Sequence, residues 1–284
     1  MSDRMIIYHN DHDGFCAAWL CHRVWPDAEF IPVQYGQDPP DVTGKWVMIV
    51  DFSWPRAVLE EMNAKALWML VLDHHKSAQK ELEGLAYCRF DMNKSGARMA
   101  LEWLQKFTSP EVKNQLVPKN SWLVDYTEDR DLWRFKLPNS RGVNAGLRIQ
   151  PFDFSIWNIL HANPTALARC CNDGEAILEE QKVVVDFHVK RAYTVELEGF
   201  HVLCVNASCL QSEIGNKLCK NMPYSVTWFV PEPDKMVFSL RSDESGLDVS
   251  EVAKAYGGGG HARAARFSLP LGQGIKLIRK AGER

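Results

Sequence analysis

His9, Asp11 and Asp13 alternate within five residues, Asp51 follows one apolar run, and Asp73, His74 and His75 stand together after another. Each of these side chains offers an oxygen or nitrogen lone pair, and none offers a thiolate. Residues two apart in an extended stretch point to the same side, which predicts that His9, Asp11 and Asp13 converge. Crowded carboxylates repel unless protonated or neutralised, and a divalent cation is the usual remedy. A mixed oxygen and imidazole set suits manganese, magnesium or iron better than a thiolate metal. Each residue also has an ordinary reading. A single aspartate after a strand is commonly a helix N-cap, which applies to Asp51 and Asp73, and His12 and His75 taken singly read as partly exposed histidines. Three successive apolar runs all ending in candidate ligands is hard to obtain from capping alone.

The elements that must position these residues are legible as hydrophobic patterning. Residues 5–8, 46–50 and 70–72 are short and uniformly apolar, as expected of strands buried on both faces. Residues 15–24, 55–63 and 95–106 read as helices. The alternation predicts an α/β domain with a largely parallel sheet, in which ligands gather at the carboxyl ends of the strands. A long helix is predicted over 173–193, suited to connecting two domains. Beyond it, β-branched and aromatic stretches at 195–205, 224–230 and 236–240 precede a helical segment at 249–256, which predicts a smaller α/β domain. The predicted organisation is a catalytic domain over 1–172, a connector over 173–194 and a second domain over 195–284.

Composition narrows the function classes. The 284 residues carry 33 Lys and Arg against 36 Asp and Glu, a net charge of −3, so bulk electrostatics make no case for nucleic acid. The balance is uneven: residues 254–284 hold seven basic residues against one acid, Glu283. Eight scattered cysteines without a C-x-x-C pair fit reduced thiols better than a disulfide frame or zinc ribbon. No apolar run approaches the roughly 20 residues that cross a bilayer, and the N-terminus lacks a signal-peptide layout, so no membrane association and a cytoplasmic location are expected. The tryptophans are read as core packing. Glycines 257–260 lack β-carbons, which lets backbone amides approach a phosphate closely.

Together these segments resemble the DHH phosphoesterase superfamily. The carriers are His9-Asn10-Asp11-His12-Asp13-Gly14, Val50-Asp51 and Asp73-His74-His75, followed by residues 126–133, where a fourth motif contributes one more aspartate. Leu240-Arg241-Ser242, Gly246-Leu247-Asp248-Val249 and Gly257-Gly258-Gly259-Gly260-His261 resemble the DHH-associated substrate-binding domain with its GGGH motif. The resemblance spans nearly the whole chain and implies two Mn2+ ions, with Mg2+ an alternative. By that resemblance His9 and Asp11 hold one ion, Asp13, His74 and the fourth-motif aspartate hold the other, and Asp51 bridges both. The fourth-motif ligand is either Asp131, which is favoured, or Asp129. His75 then faces the scissile phosphate and Asp73 supports the imidazoles, while Arg241, Ser242, Gly258, Gly259, Gly260 and His261, with Arg263, meet the substrate.

The implied activity is a manganese-dependent phosphodiesterase or exonuclease, working between two lobes on short single-stranded oligoribonucleotides or linear dinucleotides. The modest length favours a short substrate. Cyclic dinucleotides or 3′-phosphoadenosine 5′-phosphate come next, then pyrophosphate or polyphosphate, and then a non-catalytic nucleotide-binding regulator. No obligate protein partner is evident, and a homo-oligomer is compatible with the sequence.

Overall fold

The computed structural model describes residues 3–279. The chain forms two compact units that divide between Leu178 and Glu179. The first contains β1 (Arg4–His9), α1 (His12–Val24), β2 (Glu29–Val33), β3 (Trp46–Val50), α2 (Arg56–Lys65), β4 (Trp68–Asp73), α3 (Lys76–Glu81), β5 (Cys88–Phe90) and α4 (Gly96–Phe107). It continues with α5 (Pro110–Leu116), α6 (Trp122–Asp131), α7 (Ser140–Leu147), α8 (Phe154–Ala162) and the start of α9 (Ala166–Val189).

The five strands form a sheet in the order β2-β1-β3-β4-β5, with every pair parallel. Strand alternation divides the apolar runs between two layers. Ile6, Tyr8, Met48, Val50, Leu70 and Leu72 face α1 and α4. Met5, Ile7, Val47, Ile49, Met69 and Val71 face the other way, onto Leu59 and Met62 of α2. Burial on both faces is why these strands read as unbroken apolar runs. The chain leaves β1 for β2 on one side and returns to β3 on the other, so the crevice above β1 and β3 is a topological switch point. His9 and Asp51 stand at its mouth.

The second unit contains β6 (Tyr193–Leu197), β7 (Phe200–Asn206), α10 (Gln211–Leu218), β8 (Ser225–Glu232), β9 (Lys235–Arg241), α11 (Val249–Ala255), β10 (Gly259–His261), β11 (Ala264–Pro270) and α12 (Leu271–Leu277). Its six-stranded sheet runs β10-β11-β9-β8-β7-β6, antiparallel except between β7 and β8. The protein is thus α/β throughout.

Several elements differ from the sequence expectation. Helix α9 begins at Ala166, not Asp173, and ends before 193, where Arg191 N–H to His188 carbonyl and Ala192 N–H to Val189 carbonyl bonds tighten its last turn. Trp19 and Trp157 are fully buried, but Trp46 is about half exposed, its ring 5.8 Å from that of Trp68. In the second unit, Gly258 and Gly260 have a packing reason to be glycine. A Cβ at Gly258 would lie 2.1 Å from the Arg266 carbonyl oxygen, and at Gly260, with φ 140°, a Cβ would lie 2.6 Å from the Ala264 carbonyl oxygen. Ser242 is buried and its hydroxyl donates to the Leu247 carbonyl at 2.7 Å. Arg241 and Arg263 also hold their own unit, donating to Ser212 Oγ and to the Gly246 and Glu244 carbonyls. Gly259 and His261 are the end residues of β10. Among the described residues, no helix is long and apolar enough to cross a membrane, and all eight cysteines are free thiols.

Candidate metal centre

Three strand ends and two helix starts build the site. His9 is the last residue of β1, and the chain turns at once into α1, whose N-cap is Asp11, accepting from Gly14 N–H at 3.0 Å. Asp13 lies in the first turn of the same helix. The convergence of these three residues therefore does not come from an extended stretch, as strand alternation predicts, but from a strand, a cap and a helical turn.

Asp13 is drawn inward by the start of α4. Its carboxylate accepts from Gly96 N–H at 2.5 Å and Ala97 N–H at 3.1 Å, the partly positive end of a helix holding an anion. Gly96 is required there, since a Cβ would lie 2.4 Å from the Asp51 Cβ. Asp51 follows β3 and does not cap α2, whose N-cap is Pro55. Its backbone is left-handed, at φ 57°, a strained conformation of the kind that persists at functional sites.

The predicted ligands fall into two groups, one of His9, Asp11 and Asp51, the other of Asp13, His74 and Asp131, with a further grouping of Asp51, Asp73 and His75 beside them. Asp51 reaches both. Its Oδ2 is 3.7 Å from His9 Nδ1 and its Oδ1 is 3.0 Å from His74 Nε2. His74 Nε2 is also 3.5 Å from Asp131 Oδ2 and 3.7 Å from Asp13 Oδ2. His9 Nδ1 lies 2.9 Å from Asp11 Oδ2 without a well-directed hydrogen bond. Asp131 Oδ2 is buried and also makes none. Asp129, the other candidate for the fourth motif, is outside both groups, because Lys136 N–H and Leu137 N–H occupy its two carboxylate oxygens at 2.9 and 3.2 Å.

The electrostatics report a surplus of negative charge. Burial pushes the Asp51 carboxyl well up, and Asp13 and Asp11 push it further. Asp131 is raised in the same way, by burial and then by Asp13, against the pull of His74. His9 is lowered by burial, but Asp11 and Asp51 more than reverse this and raise it to about 11. Four carboxylates and two imidazoles cannot all hold their preferred charge in so small a volume. The chemistry of this donor set fits divalent cations: hard oxygens with imidazole nitrogen, no thiolate, and carboxylates that lack compensating charge.

Beside the ligand groups, Asp73 orients His75. Its Oδ1 is 2.7 Å from His75 Nδ1 and accepts the amides of His74 and His75 at 2.7 and 3.2 Å, while Oδ2 accepts from Ser53 Oγ at 2.7 Å. A proton on Nδ1 shared with a buried carboxylate fixes the ring's tautomer and direction. This makes Nε2 the nitrogen able to exchange a proton with a reactant. Ser53 escaped the sequence reading, since a lone serine after a strand carries no signal. His12, in the first turn of α1, is held down to about 4, by burial and, against Asp11, by Arg148 and Arg130.

Comparison with known proteins follows the same lines. Residues 206–284 match the DHHA1 domain family. An uncharacterised protein of Acanthamoeba polyphaga mimivirus is 29% identical over 300 residues, covering 96% of this chain and 68% of that protein. Oligoribonuclease NrnB of Bacillus subtilis is 32% identical over 99 residues, 34% of this chain and only 25% of that protein. RecJ of Thermus thermophilus in complex with Mn2+ has the same fold, with a TM-score of 0.55 at 14% identity, over 94% of this chain and 49% of RecJ.

Proposed function

We propose that the chain, whose residues 206–284 match the DHHA1 domain, is a DHH phosphoesterase, and from that premise that it is a manganese-dependent phosphodiesterase cutting short single-stranded oligoribonucleotides or linear dinucleotides to mononucleotides. The observation that carries this reading is the sharing of Asp51 between the two ligand groups, with His75 held beside them by Asp73. His9 and Asp11 would hold one cation, Asp13, His74 and Asp131 the other, and Asp51 would offer one oxygen to each. Bound there, two divalent cations supply a hydroxide nucleophile near neutral pH and neutralise charge on a phosphoryl group.

The chain's own residues do the rest. The α4 amides keep Asp13 in place. His75 presents Nε2 to the phosphate or leaving oxygen, with its tautomer set by Asp73. The similarity to a protein named oligoribonuclease supports the choice of substrate.

The test is turnover of 5′-labelled diribonucleotides beside pyrophosphate, 3′-phosphoadenosine 5′-phosphate and a cyclic dinucleotide, with added Mn2+. The expected result is release of mononucleotides from the linear diribonucleotide, abolished by a chelator and by Asp51→Ala. Release of phosphate from pyrophosphate alone would overturn the reading.

A further inference from the structure

The loop that follows Asp131 is strained in a way that core packing does not explain. Trp133 and Phe135 both take left-handed backbone, at φ 55° and 49°, which bulky side chains rarely adopt. Among the described residues, neither ring belongs to a buried apolar cluster or packs against one. The loop is nonetheless firmly held. The Asp129 carbonyl accepts from the amides of Arg134 at 2.8 Å and Phe135 at 3.2 Å. Its carboxylate takes the next two amides, Lys136 and Leu137. One buried residue thus fixes four consecutive amides.

What the loop displays is aromatic and basic. The Trp133 and Phe135 rings meet edge to face at 4.9 Å. The Arg141 guanidinium lies 3.8 Å from the Phe135 ring centre and 5.8 Å from that of Trp133, and Arg130 lies 5.6 Å from the Trp133 centre. Residues 130–148 carry Arg130, Arg134, Lys136, Arg141 and Arg148 against one acid, Asp131, in a chain of net charge −3. The cluster adjoins the ligand groups, because Asp131, a member of one of them, ends α6 where the loop begins. Strain that the surroundings over-determine is a feature of ligand clamps. Aromatic faces interleaved with arginine are a means of gripping single-stranded nucleic acid without reading its sequence.

We propose that the loop fixed by Asp129, with Trp133 as its ring face and Arg130 and Arg141 as its cations, is a stacking platform for a nucleoside next to the scissile phosphate. The proposal rests on the oligonucleotide reading above and gives the N-terminal unit a base-binding element of its own. Because a ring face accepts any base, the platform confers affinity for single strands with little base preference.

The test uses the whole chain with Trp133→Ala, Trp133→Phe and Arg141→Gln. On an oligoribonucleotide of two to five residues, Trp133→Ala is expected to raise KM about tenfold or more while changing kcat far less, with most of the loss recovered by Trp133→Phe. In a second arm, a 2-aminopurine-labelled pentaribonucleotide is titrated against protein whose turnover is blocked by Asp51→Asn. Its fluorescence is expected to be quenched by stacking, and the quench to weaken when Trp133→Ala or Arg141→Gln is added. Unchanged KM and unchanged quench in both variants would overturn the platform. If Trp133→Ala fails to fold, Arg141→Gln decides. If the unaltered protein cleaves no oligonucleotide, the functional reading fails on its own, and the titration still judges the platform.

Discussion

Asp73 stands beside the two proposed ligand sets, accepting the amide of His74, and it sets the direction of His75. Burial pushes its carboxyl up, but His75, Ser53 and His74 more than reverse this and hold it below the ordinary carboxylate value. Asp73→Asn keeps the shape and removes the charge that holds the Nδ1 proton. It is expected to lower kcat by about 10- to 100-fold while metal stoichiometry, read by elemental analysis, stays the same. The pH dependence follows from the same shift. A depressed carboxyl contributes stability that is present above about pH 4 and is lost as pH falls through the lower folded-state value. Thermal melts between about pH 6 and 3 should therefore fall less steeply for Asp73→Asn than for the unaltered chain. An equally steep fall would show that Asp73 is not the group being titrated.

At the scale of elements, the site depends on how closely helices approach strand ends. Gly96→Ala places a methyl group 2.4 Å from the Asp51 Cβ. Either α4 or Asp51 must move, and the α4 amides then lose Asp13. The expected loss is about 1–3 kcal/mol of stability by denaturant titration, with activity falling more than tenfold. Unaltered activity would mean that the approach of α4 is not needed. The strands of the parallel sheet were legible because burial on both faces leaves them unbroken apolar runs. Their polar ends, His9, Asp51 and the 73–75 triplet, were legible for the same reason, as abrupt stops. Helices α5 to α8 were not, since they are short and their burial is set by packing onto α1 and α4 or, for α6 and α7, onto each other. Nor was the reason for convergence: His9, Asp11 and Asp13 alternate as a strand would, but Asp11 is a cap, and capping is decided by Gly14 N–H rather than by period. The four glycines read as a phosphate cradle; that Gly258 and Gly260 also answer to the spacing of β10 and β11 was not legible.

For the whole molecule, the net charge of −3 conceals separate local balances. An acidic cluster sits within the N-terminal unit, and the stretch from Arg130 to Arg148 in that same unit is strongly basic. Asp51 concentrates this tension in one residue, with left-handed backbone and a carboxyl that its neighbours push toward neutrality. Asparagine tolerates that backbone region better than most residues and carries no charge. Asp51→Asn is therefore expected to be inactive and, in the presence of a chelator, to melt a few degrees above the unaltered chain, for a gain of about 1 kcal/mol. Added Mn2+ should narrow or reverse the difference, because only the unaltered chain gains the full linkage to cation binding. A lower melting temperature for Asp51→Asn under chelation would count against strain at this position. The protein would then have a sturdier silent form one amide away from its working form, suited to capturing an uncut oligonucleotide for crystallography.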